Sequence, residues 1–147
     1  MPRRFVLDTN VFQYGVSHPG WWDANVARFH PLSYSAVVLS ELRRAARTDE
    51  AVERFATLER LAKPFVVAPS SADWLLVGSY LATLFPASRK EPSREALHFV
   101  RKQQNDALIA ISAWRNGHVV VTCDSDLGRV WQFTGQSKDR LVRLPVP

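Results

Sequence analysis

Short apolar runs alternate along the chain with longer segments whose apolar residues recur at helical spacing. The short runs predict strands, which cover residues 4–7, 31–35, 65–68, 118–122 and 141–144. The longer segments predict helices, which cover residues 9–14, 23–29, 36–47, 48–63, 70–85, 94–114 and 124–133. Ser35, and Ser70 together with Asp73, are expected to cap the helices that follow them. Clusters of Gly, Pro, Ser and polar residues predict loops over residues 15–22 and 86–93.

This alternation of strands and helices is typical of an α/β fold built around a mostly parallel sheet. We expect four to five strands, flanked by helices, in a single domain that spans residues 1–147. The carboxyl ends of parallel strands meet at one edge of such a sheet, and ligands bind outside that edge. Asp8 follows the first strand directly and Asp124 follows the valine-rich strand, so both carboxylates are expected there.

Composition narrows the class of protein only a little. The chain has 19 Lys and Arg against 14 Asp and Glu, and its net charge of +5 favours a polyanionic partner such as nucleic acid. The one cysteine, Cys123, cannot form an internal disulfide. No apolar run near the N-terminus has the length of a signal-peptide core, and none approaches a membrane span. We therefore expect a soluble, cytoplasmic protein with no membrane partner.

Four acidic residues are expected near the carboxyl edge of the sheet, namely Asp8, Glu41, Asp106 and Asp124, and Asp126 lies two residues beyond Asp124. Glu41 lies on a predicted helix, six residues after the proposed cap Ser35, and Asp106 directly precedes an apolar helical segment. Carboxylates gathered without a histidine or cysteine pattern suit a hard divalent cation such as Mg²⁺, which relieves their repulsion and activates water against a phosphodiester. Taken singly, each aspartate could instead cap a helix, and Glu41 could be a solvent-exposed helix charge.

The residues around these acids form four short motifs in a fixed order along the chain. They are Val6-Leu7-Asp8-Thr9-Asn10-Val11, the segment 35–42 that ends in Ser40-Glu41-Leu42, Asp106-Ala107-Leu108-Ile109-Ala110, and Thr122-Cys123-Asp124-Ser125-Asp126-Leu127. This ordered set resembles the PIN-domain nucleases, and specifically the VapC-type toxins of prokaryotic toxin–antitoxin pairs. The resemblance runs from residue 5 to about residue 133, with Leu127 standing where the family commonly has phenylalanine.

The resemblance implies a PIN-like fold and a role for each of these residues. The implied metal-binding and catalytic acids are Asp8, Glu41, Asp106 and Asp124. Asp126 would assist as an indirect or water-mediated ligand, Thr122 would be a supporting hydroxyl, and Thr9 and Asn10 would shape the turn after the first strand. The resemblance also implies Mg²⁺ or Mn²⁺ as cofactor, RNA as substrate, a homodimer, and a cognate VapB-type antitoxin that covers the site.

Two basic residues next to site acids are candidate RNA contacts. Arg43 lies two residues after Glu41, and Lys102 lies one helical turn before Asp106. A solvent-exposed helix face remains the alternative for both residues. Two other functions also stay open, a DNA or structure-selective nuclease that uses the same acids and a non-catalytic RNA- or antitoxin-binding module. The complete set of acids argues against the non-catalytic module.

Overall fold

The computed structural model describes residues 2–84 and 93–147, and these residues form one five-stranded sheet whose neighbouring strands are all parallel. The strands are β1 (Phe5–Leu7), β2 (Leu32–Ser35), β3 (Val66–Val67), β4 (Val119–Thr122) and β5 (Leu141–Arg143). Their order across the sheet is β3-β2-β1-β4-β5. The predicted α/β fold, with a mostly parallel sheet of four to five strands, is therefore confirmed.

Helices connect the strands throughout the described part of the chain. They are α1 (Thr9–Ser17), α2 (Pro19–Asn25), α3 (Ala36–Ala45), α4 (Asp49–Ala62), α5 (Ser71–Leu84), α6 (Arg94–Arg115) and α7 (Leu127–Thr134). Short 3₁₀ turns, Lys63–Phe65 and Lys138–Arg140, precede β3 and β5. The helix predicted over residues 23–29 therefore begins and ends earlier than expected. The loop predicted over residues 86–93 lies outside the described residues except for its last residue.

Helix starts follow from side chains that accept hydrogen bonds from the free N–H groups of the first turn. Ser35 Oγ accepts from the backbone N–H of Val37 at 3.2 Å and so begins α3. Ser70 and Asp73 cap α5 reciprocally: the Ser70 N–H donates to Asp73 Oδ2 at 2.7 Å, and the Asp73 N–H donates to Ser70 Oγ at 3.2 Å. Both predicted caps are confirmed.

The loop predicted over residues 15–22 is wrong, because most of this segment is helical. α1 continues to Ser17, and α2 begins at Pro19, whose fixed φ and missing N–H suit the first helical position. Gly15 lies inside α1 without breaking it. Trp22 packs directly on Gly15, since a Cβ at that position would lie 2.3 Å from Trp22 Cε3. The glycine that suggested a loop instead allows two helices to pack closely.

The sheet is buried on both faces. Val6 and Leu7 are successive residues of β1 and therefore point to opposite faces. Val6 packs in a core cluster with residues of α3, α5, α6 and α7, and Leu7 packs in a second cluster with residues of α1 and of the segment after α2. β4 is buried along its whole length. Burial on both faces is expected for parallel strands that are covered by helices on each side.

Several helices, α4 and α5 among them, keep large apolar side chains at the surface. On α4, Val52 and Leu61 are exposed, and on α5, Trp74 and Leu75 have exposed fractions of 50% and 76%. Neither set of side chains is covered by another described part of the chain.

Among the described helices, none combines the length with the hydropathy that crossing a bilayer requires.

Candidate metal centre

β1 and β4 lie side by side in the sheet, and the segments that follow them form the floor of a cleft. Leu7 pairs with Val121, and the backbone N–H of Asp8 donates to the carbonyl of Val121 at 2.9 Å. The chain leaves β1 toward β2 on one side, whereas β4 and β5 lie on the other side. The strand order therefore reverses at this point, which is where an open parallel sheet leaves a crevice for a ligand.

Asp8 is almost completely buried at the floor of this cleft, with an exposed fraction of 3%. Its Oδ1 accepts from the backbone N–H of Thr9 at 2.7 Å, and its Oδ2 accepts from Thr122 Oγ1 at 2.8 Å and Asn10 Nδ2 at 3.1 Å. Burial nevertheless raises the pKa of the Asp8 carboxyl to about 6, and the charges of Glu41 and Asp124 act in the same direction. These hydrogen bonds favour the ionised carboxylate without fully offsetting its desolvation.

The turn after β4 is tied to the turn after β1 by hydrogen bonds. The Cys123 N–H donates to Asn10 Oδ1 at 3.1 Å, and the Asp124 N–H donates to Thr122 Oγ1 at 3.0 Å. The Asp126 N–H then donates to Asp124 Oδ1 at 2.9 Å. The structure thus places Asn10 and Thr122 between the two turns, where they hold the acidic residues of both.

Asp106, Asp124 and Asp126 form the tightest group of acids. Each offers one carboxylate oxygen, and these three oxygens lie within 4.8 Å of one another. Asp106 Oδ2 is buried and has no hydrogen-bond partner among the described residues. Burial, followed by the charges of Asp8 and Asp124, raises the pKa of the Asp106 carboxyl to about 8, an effect that Lys102 only partly offsets. Asp126, expected as an indirect participant, thus lies in the group itself.

Glu41 reaches the cleft from α3 and is held by two neutral donors. Thr9 Oγ1 donates to its Oε2, and Asn105 Nδ2 donates to its Oε1 at 2.8 Å. The Glu41 charge contributes to the raised pKa values of Asp8 and Asp106, so it interacts electrostatically with both of these acids. The sequence analysis missed Asn105, because a contact between residues 64 positions apart on two helices leaves no local pattern.

Gln103 is a second amide at this site that the sequence analysis missed. It is completely buried, and its Nε2 donates to Asp126 Oδ2 at 3.3 Å. One signal was available in the sequence. Gln103 precedes the buried residues Ala107, Ala110 and Trp114 at helical spacing, so it interrupts an otherwise apolar face of α6.

Positive side chains lie around the acids. Lys102 Nζ lies 3.2 Å from Asp124 Oδ2 and 3.4 Å from Asp126 Oδ2. The cleft has a volume of about 690 Å³, and its basic lining residues are Arg44, Arg47, Lys102 and Arg143. The predicted RNA contact Arg43 lies outside this lining and points toward α4, where its Nη1 is 3.6 Å from Glu59 Oε1.

Cys123 also lines the cleft, but its environment does not favour nucleophilic chemistry. The residue is buried, and desolvation raises the pKa of its thiol to about 11, with the charges of Asp8 and Asp124 acting in the same direction. A nucleophilic cysteine requires a thiolate, which this setting opposes. The donor set at the cleft floor therefore consists of carboxylate oxygens, which suit hard cations such as Mg²⁺ or Mn²⁺. The unpartnered Asp106 Oδ2 fits such an ion.

Comparisons with known proteins agree with the observed fold. The PIN domain model matches residues 5–131. The structure of FitAcB from Neisseria gonorrhoeae is 17% identical, with a TM-score of 0.59 over 95% of this chain and 96% of that chain. The DNA-bound VapBC from Salmonella typhimurium is 22% identical, with a TM-score of 0.50 over 97% and 96%. VapBC2 from Rickettsia felis, bound to a promoter DNA fragment, is 18% identical, with a TM-score of 0.52 over 95% and 98%.

At these identities the likeness to solved structures concerns the fold. No curated protein matches the chain at a significant level. PIN domains are generally metal-dependent nucleases, and an acidic cleft at the carboxyl edge of a parallel sheet is consistent with that chemistry. Because the domain model covers most of the sequence, the chain belongs to the PIN domain family.

Proposed function

We propose that the protein is a Mg²⁺- or Mn²⁺-dependent endoribonuclease and the toxin of a VapBC-type pair. The proposed metal-binding residues are Asp8, Glu41, Asp106, Asp124 and Asp126, and the proposed supporting residues are Thr9, Asn10 and Thr122. The observation that carries the proposal is the Asp106 carboxyl, whose Oδ2 is buried without a described partner and whose pKa is about 8. A divalent cation beside Asp124 and Asp126 would satisfy that oxygen and relieve the repulsion.

The chain's own contribution to the reaction is the orientation of its acids and of the substrate. A bound Mg²⁺ or Mn²⁺ would lower the pKa of water and neutralise charge that develops on the phosphodiester. Thr122 and Asn10 hold the Asp8 carboxylate by hydrogen bonds, so this acid does not need to reorganise when substrate arrives. Lys102 lies beside Asp124 with half of its side chain exposed, a position from which its ammonium can contact a phosphate oxygen.

Substrate binding is proposed to depend on the arginines of the cleft. Arg44, Arg47 and Arg143 share the cleft lining with the acids, so they offer positive charge to phosphates that the acids repel. Arg43, the neighbour of Arg44, does not line the cleft and is not included in this role. The preference for RNA is proposed from the resemblance of the four acid motifs to those of VapC-type toxins.

The proposed partners are a VapB-type antitoxin and a second copy of the chain. The proposed location of the protein is the cytoplasm. Two of the similar structures are VapBC assemblies bound to DNA, and these support the antitoxin as partner. The exposed Trp74 and Leu75 on α5 support a self-association surface, because large apolar side chains at the surface commonly mark protein contacts.

The decisive experiment is incubation of the purified protein with end-labelled single-stranded RNA and with DNA of the same sequence. Reactions contain Mg²⁺, Mn²⁺ or a chelator, and the variants are Asp8→Asn and Asp106→Asn. Glu95→Gln is the matched control, because Glu95 is an exposed acid in the first turn of the same helix as Asp106. We expect RNA cleavage in either metal, no cleavage in chelator, and loss of cleavage in both variants but not in the control.

Each alternative function has a distinct result in this experiment. Cleavage that survives chelation, or that persists in both aspartate variants, contradicts the metal mechanism. Cleavage of DNA but not of RNA indicates a deoxyribonuclease that uses the same acids. RNA binding without turnover in any metal indicates the non-catalytic binding module.

A further inference from the structure

α6 carries two neutral amides to the acidic cluster, and each of them donates a hydrogen bond to a different acid. Asn105 Nδ2 donates to Glu41 Oε1 at 2.8 Å, and Gln103 Nε2 donates to Asp126 Oδ2 at 3.3 Å. We propose that these two amides are positioning residues that hold Glu41 and Asp126 in the orientations that suit a divalent cation. The inference rests on the proposed metal-dependent function and assigns roles to residues outside the acidic set.

The burial of Gln103 is hard to explain by packing alone. Its side chain is completely buried, and its Oε1 has no hydrogen-bond partner among the described residues. An unmet polar atom in the interior is unfavourable, so an apolar side chain of similar size would serve packing better at this position. The amide does gain its contact with the Asp126 carboxylate. Its nitrogen must face that carboxylate, because the reverse orientation would bring two oxygen atoms together.

Asn105 joins two helices that are distant in sequence. Glu41 lies on α3 and Asn105 lies on α6, 64 positions further along the chain. Thr9 Oγ1 donates to the other oxygen of Glu41, so both carboxylate oxygens are held. A glutamate side chain has several rotatable bonds, and fixing it against this freedom requires contacts of this kind. Asn105 directly precedes Asp106, so the hydrogen bond also links the position of Glu41 to that of Asp106.

Neutral donors have an advantage over cationic ones at this site. An amide orients a carboxylate through one lone pair and leaves the negative charge, with the remaining lone pairs, available to a metal ion. A cationic side chain neutralises that charge and competes with the metal. Lys102, which lies 3.2 Å from Asp124 Oδ2, is the example within this cluster. Mutation of groups that orient metal ligands from behind typically weakens metal affinity by about 10- to 100-fold.

The chain supplies its own control for this inference. Gln104 lies between the two amides on the same helix and has the same chemistry as Gln103. In the described part of the chain its side chain makes no hydrogen bond or ion pair. Its replacement therefore changes the amide content and helix propensity of this segment without touching an acid.

The test compares Asn105→Ala, Gln103→Met and Gln104→Ala with the wild-type protein. Metal affinity is measured by calorimetric titration of the metal-free protein with Mn²⁺, and thermal unfolding of the metal-free protein checks folding. We expect Asn105→Ala and Gln103→Met to weaken Mn²⁺ binding by about 10- to 100-fold, and Gln104→Ala to leave it unchanged. In RNA cleavage, the two affected variants should regain kcat at saturating Mn²⁺ with an unaltered KM for RNA, which a general loss of structure would not produce.

Failure of this inference differs from failure of the proposed function. If both variants fold and bind Mn²⁺ as tightly as the wild type, the amides are not positioning residues, whereas the metal-dependent function stands. If the wild type itself binds neither Mn²⁺ nor Mg²⁺, the proposed function and the inference both fall. If Gln103→Met does not fold, the result for Asn105→Ala decides, because Asn105 is only partly buried.

Discussion

The acidic cluster has two parts that are held in place in different ways. Asp8 and Glu41 are here called the hydrogen-bonded pair. In each of them, both carboxylate oxygens accept hydrogen bonds from backbone, hydroxyl or amide donors of other residues. Asp106, Asp124 and Asp126, the open triad, include a buried oxygen without a described partner and have Lys102 as their nearby cation. The geometry of the pair is therefore fixed by folding, whereas the triad retains unmet charge that a metal ion can satisfy.

The largest contrast is expected from Asp106→Asn in the open triad. Burial and the charges of Asp8 and Asp124 disfavour the ionised Asp106 carboxylate in the fold, and asparagine carries no such cost, so the free energy of unfolding of the metal-free protein should rise. RNA cleavage should fall by roughly 100- to 1,000-fold, because an electrostatic contact to the reacting centre is lost. Thermal unfolding with and without Mn²⁺, together with single-turnover cleavage, measures both effects.

The feature to check in this variant is that stability rises while RNA cleavage falls. An Asp106→Asn protein that is less stable than the wild type in the absence of metal would show that the carboxylate is held by the fold. The distinction between pair and triad would then be lost.

The hydrogen-bonded pair should respond to Thr122→Val mainly through stability. Thr122 is completely buried and of similar shape to valine, and its Oγ1 donates to Asp8 Oδ2 and accepts from the Asp124 N–H. Losing this hydroxyl leaves the Asp124 N–H without that partner, and we expect a loss of about 1–3 kcal/mol in the free energy of unfolding. Urea denaturation measures it.

Thr134→Val is the matched control for this substitution. The Thr134 hydroxyl donates to two carbonyls within its own helix, at 3.0 Å and 3.2 Å, and makes no hydrogen bond to an acid of the described residues. A Thr122→Val protein no less stable than the Thr134→Val protein would contradict the view that this hydroxyl holds the pair.

The pH dependence of stability should report both parts of the cluster. The pKa values of the Asp8 and Asp106 carboxyls are about 6 and about 8 in the folded protein, against 3.8 for an unperturbed aspartate in an unfolded chain. At these two carboxyls the folded protein therefore binds more protons than the unfolded chain, and their contribution to stability falls as pH rises from 3.8 to about 8. We expect the melting temperature of the metal-free protein to fall between about pH 5 and pH 8.

Mn²⁺ should remove much of this fall, because the cation takes the place of the protons on the open triad. Asp106→Asn should flatten the upper part of the curve and leave the lower part, which belongs to Asp8. A melting temperature that instead rises steadily from pH 5 to pH 8 without metal would contradict the assigned directions of both pKa shifts.

The sequence could predict the parts of this site that follow from local patterns. Asp8 and Asp124 lie directly after apolar strands, so the topology of a parallel sheet is enough to bring them together. Glu41 and Asp106 lie on helices whose orientation depends on tertiary packing, and it was mainly the resemblance of their motifs to a known family that indicated them. The position of Asp126 within the triad depends on the turn after β4, which no periodicity reveals.

The missed residues have a common physical reason. Asn105 and Gln103 act through contacts between elements that are far apart in sequence, and amides have no distinctive spacing. The wrongly predicted loop has a similar cause, because Gly15 is compatible with helix once Trp22 packs on it. Local propensity gave the elements in their correct order, whereas contacts between helices decided their ends and the finer composition of the site.

The smallest expected effect concerns the arginines that line the cleft. Both parts of the acidic cluster repel phosphate, so RNA binding depends on this positive charge. Arg44 lines the cleft, whereas Arg43, its neighbour in the sequence, lies toward Glu59 on α4. Arg44→Ala should weaken RNA binding and reduce the slope of log affinity against log salt by about 0.7, the loss of one phosphate contact on a single strand. Arg43→Ala should leave the slope unchanged. Filter binding of a non-cleavable RNA at several salt concentrations measures both variants. A larger loss of RNA affinity for Arg43→Ala than for Arg44→Ala would show that Arg43, the residue predicted from the sequence, makes the RNA contact.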